Sequence, residues 1–518
     1  MAPVRDGDDD SVVSPTVDGT LDASVVRRAL SLTKARSTSV SKRAWSIASD
    51  PQHLPVVVLI GLFVVWNFYL GWRLYYGYGY PPFDLAIFDQ GLWLITHFHA
   101  PFVTVMGRNL FGDHTSFILF VVAPFYRLFP EPQGLLVLQT LMIAGAAVPI
   151  YLLARKLIAS TWIPTLLVAT YLLNPALQQG NMEQFHPEAF QVLIISVAIY
   201  AAFESRGVLL GVMVVLALLV KEDAAVLIVP LGAWVMWRRN KAWGLRIIGA
   251  AIIWGVIANL MIIPAILGTN NFYASRIPFG GISGFVATLI RRPAQVWSYL
   301  RGDARGYYVW QMGFATGWAF LLAPEIAAIA LLVIAENVLS NDPYMHQILY
   351  HYSLAVVPVL VLGTVFAIAA IKSDRRRNVV TGVVVACAMW SCVLWGLAPF
   401  SNGGVYPVWS PGSAVTKTAA AIEQRIPPNA VVAAWYPLVA HLDHRTQIYV
   451  WPNPFSAANY GLGTNTGSRL AASSQVRYLV LPVLLTDTND IATFSAIQSS
   501  FHLVESANGL GLYERNGN

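Results

Sequence analysis

Residues Pro55 to Gln90 read PVVVLIGLFVVWNFYLGWRLYYGYGYPPFDLAIFDQ. The first half, Pro55 to Trp72, is an apolar run of the length that a membrane-spanning helix needs, roughly 18 residues. The second half leaves that run at Arg73 and reaches Tyr80-Pro81-Pro82-Phe83-Asp84-Leu85-Ala86-Ile87-Phe88-Asp89-Gln90. Carboxylates at a membrane face are costly to dehydrate. Two of them directly after a first span point to a reaction centre at the bilayer surface.

Composition extends this reading to the whole chain. Hydrophobic residues make up 56% and charged residues 12%, against about 25% charged in a soluble domain. The class is a polytopic α-helical membrane protein. No signal-peptide cleavage pattern precedes the first run, so the run is expected to stay as an anchor. The formal charge of +6 does not argue for nucleic acid, because the basic residues fall mostly in short loops, where they set topology. The two cysteines, Cys387 and Cys392, both lie inside the last apolar run, which argues against a structural disulfide or a thiolate metal site.

Working outward, residues 1–50 are polar, without apolar periodicity, and are expected to be a disordered cytoplasmic segment. Its basic residues, Arg27 to Arg43, mark the inner face. Residues 51–397 form the membrane domain. Spans are expected near 55–72, 134–154, 161–176, 187–203, 207–220, 224–237, 247–267, 352–371 and 378–397. The stretch 307–339 adds a helical hairpin turned at Pro324-Glu325, for about eleven spans in all. Residues 73–114 make a large first outer loop, with Asp84 and Asp89 on a short surface helix, and 268–306 make a second. Phe117 to Phe129 is apolar but short and contains Pro124, so it is read as interfacial or re-entrant. Residues 398–518 change texture: an amphipathic helix near 413–426 and short β-like runs at Ala430–Trp435, Gln447–Trp451, Arg477–Leu481 and Leu510–Glu514. This alternation reads as a small α/β domain, and parity places it outside the cytoplasm.

Ionisable residues punctuate the apolar background at a few points. Asp84 and Asp89 lie about 140° apart on a helix; one can act as general base while the other orients it or helps hold a divalent cation. Asp113-His114 closes the first outer loop and can cap a helix, ligate a metal or bind phosphate. His186 and Glu188, in Phe185-His186-Pro187-Glu188, sit where a helix begins on the outer side. Lys221-Glu222-Asp223 interrupts roughly thirty apolar residues and must face protein or water; Lys221 suits a phosphate, and the acids can hold Lys221 or a cation. His346 and His351 precede an inward span and can line one opening. Arg276, in the second outer loop, offers a fork that suits phosphate. No zinc spacing, Walker-type loop, dinucleotide fingerprint or nucleophile elbow occurs.

The ordered set Phe83 to Gln90, Gly112-Asp113-His114, Pro124-Phe125-Tyr126, Asn174-Pro175, Phe185-His186-Pro187-Glu188, Lys221-Glu222-Asp223 and His351-Tyr352 resembles the membrane family known as domain of unknown function 2079. That family is grouped with the C-type (GT-C) glycosyltransferases. The resemblance spans roughly 75 to 500 and implies a GT-C-like membrane domain. It implies an inverting transferase that takes a sugar from a polyprenyl-phosphate donor to an extracytoplasmic glycan, glycolipid or protein acceptor, in cell-envelope assembly. It also places the catalytic base, or a metal site for Mg or Mn, on an acidic residue of the first outer loop. Asp84 matches that location best and Asp89 second, although the chain lacks the contiguous acidic pair common there. The rival reading is a non-enzymatic lipid-binding or lipid-translocating membrane protein, for which paired repeats would be expected.

Overall fold

The computed structural model describes residues 52–269 and 272–517; the segment 1–50 lies outside them. Val58–Asn518 form one compact unit. Among the described residues, five helices are long and apolar enough to cross a membrane: Leu54–Tyr76, Pro132–Leu157, Lys241–Leu267, His351–Ala370 and Asp374–Trp395. Their burial differs sharply. The most apolar window of Lys241–Leu267 is 17% buried, and that of His351–Ala370 is 83% buried. The first therefore presents its side chains outward, among them Leu260 and Met261, as a lipid-facing helix must. The second runs through the middle of the bundle and is apolar all round.

The remaining expected spans appear as shorter helices, so the count of about eleven is not reached by length. Ile163–Leu172 stops at Asn174-Pro175, where Pro175 starts a new helix, Pro175–Glu183. Ala189–Phe203, Gly207–Leu218 and Ala225–Arg238 follow. The ionisable triplet breaks the chain between the last two. A ten-residue helix reaches about 15 Å, half the thickness of a bilayer core. Residues 305–339 are also broken, into Arg305–Phe314, Pro324–Ala327 and Leu331–Leu339 with 3₁₀ turns between. One break is at Pro324, as expected. Another is at Gly317-Trp318, where φ is positive at both residues. Arg238 donates to Glu325 at 2.9 Å, which puts the Pro324 turn beside the basic loop after residue 237. Ile118–Tyr126, with Pro124 inside it, is too short to span.

The C-terminal part carries a mixed five-stranded sheet. With β1 Phe102–Val103 and β2 Arg108–Asn109 forming a small hairpin in the segment after the first long helix, the sheet strands are β3 Val432–Ala434, β4 Ile448–Val450, β5 Tyr478–Pro482, β6 Phe501–Ala507 and β7 Leu510–Arg515. Their order is β4-β3-β5-β7-β6; β3 is parallel to both neighbours and β7 antiparallel to both of its own. Tyr449, Trp451, Phe455, Leu479 and Phe501 fill its core.

This sheet is bound tightly to the segment that follows the first long helix. Thr104 Oγ1 donates to the Ile448 carbonyl and accepts from the Ile448 N–H, both at 2.8 Å. Gly107 has φ +73°, and a Cβ there would lie 2.5 Å from the Tyr460 ring, so only glycine fits. The consequence corrects one expectation. The helix bearing Asp89, Leu85–Thr96, is not a surface helix; ten of its twelve residues are buried, because the sheet covers it.

Candidate functional site

Pro81 and Pro82 hold the chain extended as it returns from the first helix. Asp84 then turns it sharply, with φ 69° and ψ −75°, and the Leu85 N–H donates to the Phe83 carbonyl at 3.2 Å. This is a γ-turn of the rare, positive-φ kind, a conformation that non-glycine residues occupy at a cost. A polar scaffold holds it. The Leu85 N–H also donates to Gln184 Oε1 at 3.0 Å. Gln139 Nε2 donates to the carbonyls of Gln184 and Asn181, and its Oε1 accepts from the His186 N–H, all within 2.9 Å. Asn181 is tied in turn to Asn67 at 3.0 Å. Buried amides are thus spent on fixing residues 181–186 against Asp84.

The Asp84 carboxylate starts the helix Leu85–Thr96 but makes no capping hydrogen bond. Its side chain is 39% exposed, and its nearest charged partner is His186 Nε2, at 4.0 Å. Burial, opposed by His186 and reinforced by Glu183 and Glu188, holds its carboxyl above the usual carboxylate range. His186 is buried, and its Nε2 has no hydrogen-bond partner; that atom lies 3.6 Å from Glu183 Oε2. Burial and the neighbouring His351 keep His186 below an ordinary imidazole. The two imidazoles stack at 3.5 Å with planes 21° apart. Glu183 Oε2 accepts from the His351 backbone N–H at 2.6 Å and lies 3.2 Å from Nδ1 of the same residue.

From His351 the contacts run on to the triplet. His351 Nε2 lies 3.8 Å from Glu188, and Lys221 donates to Glu188 at 2.8 Å while standing 3.5 Å from Asp223. Burial works against the Lys221 ammonium, but Asp223, Glu188 and Glu222 hold its pKa well above the usual value. Glu222 meets His114 Nδ1 at 2.7 Å and accepts from the Thr115 N–H at 3.1 Å; His114 and Lys221 overcome burial and pull its carboxyl down to about 2. The His114 ring stacks on Tyr273, whose hydroxyl donates to Asp113 at 3.0 Å. Arg108 also donates to Asp113, at 2.8 Å. Arg276 lies over Tyr273, 4.2 Å from the ring centre, and 3.4 Å from Asp342. Its side chain is one quarter exposed, whereas that of Lys221 is 5% exposed.

The structure therefore gathers Asp84, Asp113, His114, His186, Glu188, Lys221, Glu222, Asp223, Arg276 and His351 into one connected array. Two expected members stand elsewhere. Asp89 does not share a site with Asp84. It is fully buried on another face of the helix, accepting from Tyr126 at 2.7 Å and facing His444 at 2.7 Å, so the two aspartates do not form a joint metal pair. His346 does not line an opening with His351: it meets Asp303 at 2.8 Å, because the chain between them turns. Lys221 is doubly paired and almost enclosed, which leaves Arg276 as the more exposed of the two cations. Sequence reading passed over Glu183, Tyr273, Glu336 and Arg108. Glu183 had a signal, the polar run Gln178 to Gln184 between apolar helices; Glu336, which lines the crevice beside Lys221, is a lone acid in an apolar helix.

This architecture is shared. The crystal structure of ArnT from Cupriavidus metallidurans in the apo state matches 91% of this chain and 98% of its own at 12% identity, with a TM-score of 0.50. A second, of ArnT bound to undecaprenyl phosphate, matches 88% and 97% at 11% identity, with a TM-score of 0.49. The class is thus a helical protein with an ArnT-like fold. No curated protein matches the chain in sequence. The family described as Predicted membrane protein (DUF2079) matches residues 73–479, and the chain belongs to that family.

Proposed function

We propose that the protein is a membrane glycosyltransferase that moves a sugar from a polyprenyl-phosphate donor to an extracytoplasmic glycan, glycolipid or protein acceptor, with inversion. The observation that carries this reading is the state of Asp84: strained, unbonded, half-exposed, and in one array with Arg276 and the His186–His351 pair. A carboxylate held this way can reach an acceptor hydroxyl. Asp84 takes the hydroxyl proton as the oxygen attacks the anomeric carbon. The bond from that carbon to the phosphate oxygen breaks, and the lipid phosphate leaves with the electron pair. Arg276, the more exposed cation of the array, is the group assigned to the developing charge. The array is extracytoplasmic and the N-terminus cytoplasmic in this reading, with the sheet domain over the acceptor side. An apolar groove of about 1140 Å³, walled by Trp72, Tyr76, Val122, Phe125 and Phe129 and reaching Met182 beside Glu183, suits the donor's lipid tail.

A divalent cation such as Mg or Mn fits Asp84 with Glu183 and His186 better than Asp84 with Asp89. The unpartnered His186 Nε2 sits 3.6 and 4.0 Å from two carboxylate oxygens, about twice a metal–ligand bond. His351 is stacked nearly parallel to His186, so their lone pairs do not converge on one ion. An ion at this point would supply counter-charge to the leaving phosphate.

The test is an undecaprenyl-phosphate-linked sugar offered to the purified protein with an envelope lipid extract as acceptor. Release of free polyprenyl phosphate is expected, and Asp84→Asn should cut it by about 10²- to 10⁴-fold with unchanged expression. Unimpaired Asp84→Asn activity refutes the base. A wild-type protein that binds or moves the lipid without releasing phosphate points instead to a lipid carrier.

A further inference from the structure

The second cluster, around Asp89, plays no part in the proposed transfer. Asp89 is fully buried. Its Oδ1 accepts from the Tyr126 hydroxyl at 2.7 Å, and its Oδ2 lies 2.7 Å from His444 Nε2, which is also 3.0 Å from the Tyr126 oxygen. Asp443, 1% exposed, brings a second carboxylate; one ligand atom each from Asp89, Asp443 and His444 lie within 4.8 Å of one another. Asp443 Oδ2 is buried without a hydrogen-bond partner.

Two enclosed carboxylates in contact need a counter-charge. Arg445 is near, but its guanidinium is spent on the backbone carbonyls of Leu442, Pro427 and Ala430. A proton shared between Asp89 and Asp443 would also relieve the two acids, and a bound-zinc measurement separates the two arrangements. Two carboxylate oxygens and one imidazole nitrogen, with Tyr126 holding the other oxygen of Asp89, form a three-ligand set suited to a cation of borderline hardness. Asp89 belongs to the helix Leu85–Thr96, and Asp443 and His444 belong to the loop before β4.

We propose that Asp89, Asp443 and His444 bind one divalent transition-metal ion that clamps the C-terminal sheet domain to the helix Leu85–Thr96. The site is independent of the transfer reaction, and its test needs no substrate. The full-length chain in detergent is stripped with EDTA, dialysed against Zn²⁺ and assayed for bound zinc by elemental analysis, beside Asp443→Asn and His444→Gln. Wild type should hold one equivalent more than either variant, and Zn²⁺ should raise the unfolding temperature of wild type alone. Glu183→Gln, which disables the other candidate cluster, should not remove that equivalent. Should Asp443→Asn fail to fold, His444→Gln carries the test, because His444 is partly exposed. Equal zinc content in wild type and His444→Gln, or none in wild type, overturns the proposal.

Discussion

Asp84 and Asp89 stand five residues apart in one motif, yet they live in opposite environments. Asp84 occupies a strained turn, its carboxylate makes no capping hydrogen bond, and its side chain is 39% exposed. Asp89 sits on a relaxed helix, is fully enclosed, and has Tyr126, His444 and Asp443 around it. The difference teaches that a carboxylate's task is set by what surrounds it. Free lone pairs and stored strain mark a group kept ready to react. Satisfied lone pairs and zero exposure mark one that joins two parts of a fold. Here the parts are the helix Leu85–Thr96 and a sheet domain more than three hundred residues later.

The sharpest way to break this contrast is to exchange consequences. Asp84→Asn should erase transfer and leave folding intact, as set out above. Asp89→Ala should do the reverse first. It removes the carboxylate that both the Tyr126 hydroxyl and the His444 ring contact, leaving those two groups only each other, and loosens the sheet. A loss of about 3 kcal/mol is expected, the lower end of the range for breaking a buried pair, because water can still reach the partly exposed His444. Thermal unfolding in detergent reads it; an unchanged unfolding temperature would show that Asp89 is not structural.

A smaller effect concerns pH. Asp84 must be ionised to accept a proton, and its carboxyl is held above the usual range, mainly by desolvation among the surrounding protein groups, with Glu183 and Glu188 adding to it. Activity should therefore fall tenfold per pH unit on the acid side, starting at a higher pH than an ordinary aspartate, about 3.9, would give. Removing the negative neighbour with Glu183→Gln lowers the Asp84 pKa, so the acid limb should move to lower pH. A limb that stays in place in Glu183→Gln would detach the profile from Asp84.

Much of the array was legible because ionisable residues in an apolar chain have few reasons to exist. Lys221-Glu222-Asp223 and Phe185-His186-Pro187-Glu188 stand out by composition alone, and the structure joins them. The four expected strands of the C-terminal part also lie where alternation put them, while β6, with its bulge near Leu503, was not foreseen. What stayed hidden was of two kinds. Partnerships across the fold carry no local mark: nothing near Asp89 announces His444. Helix breaks were less legible, because hydropathy averages over interruptions that the backbone feels, such as Pro175 and the positive-φ pair Gly317-Trp318. The strain at Asp84 was equally invisible, since Pro-Phe-Asp-Leu has no glycine to announce a positive φ.

That strain yields the finest test of the comparison. Glycine adopts φ near +69° without a Cβ clash, whereas any other residue keeps the cost. Asp84→Ala and Asp84→Gly both delete the carboxylate and both should lose transfer. They differ in the turn. Asp84→Gly should be the more stable of the two by about 1 kcal/mol, net of the larger entropy glycine gives the unfolded chain. At Asp89, on a regular helix, the order should invert, with glycine the less stable by about 1 kcal/mol. The sign change between the two sites is the decisive reading. If alanine is the more stable replacement at both positions, Asp84 stores no backbone strain, and the case for a primed carboxylate rests on its exposure alone.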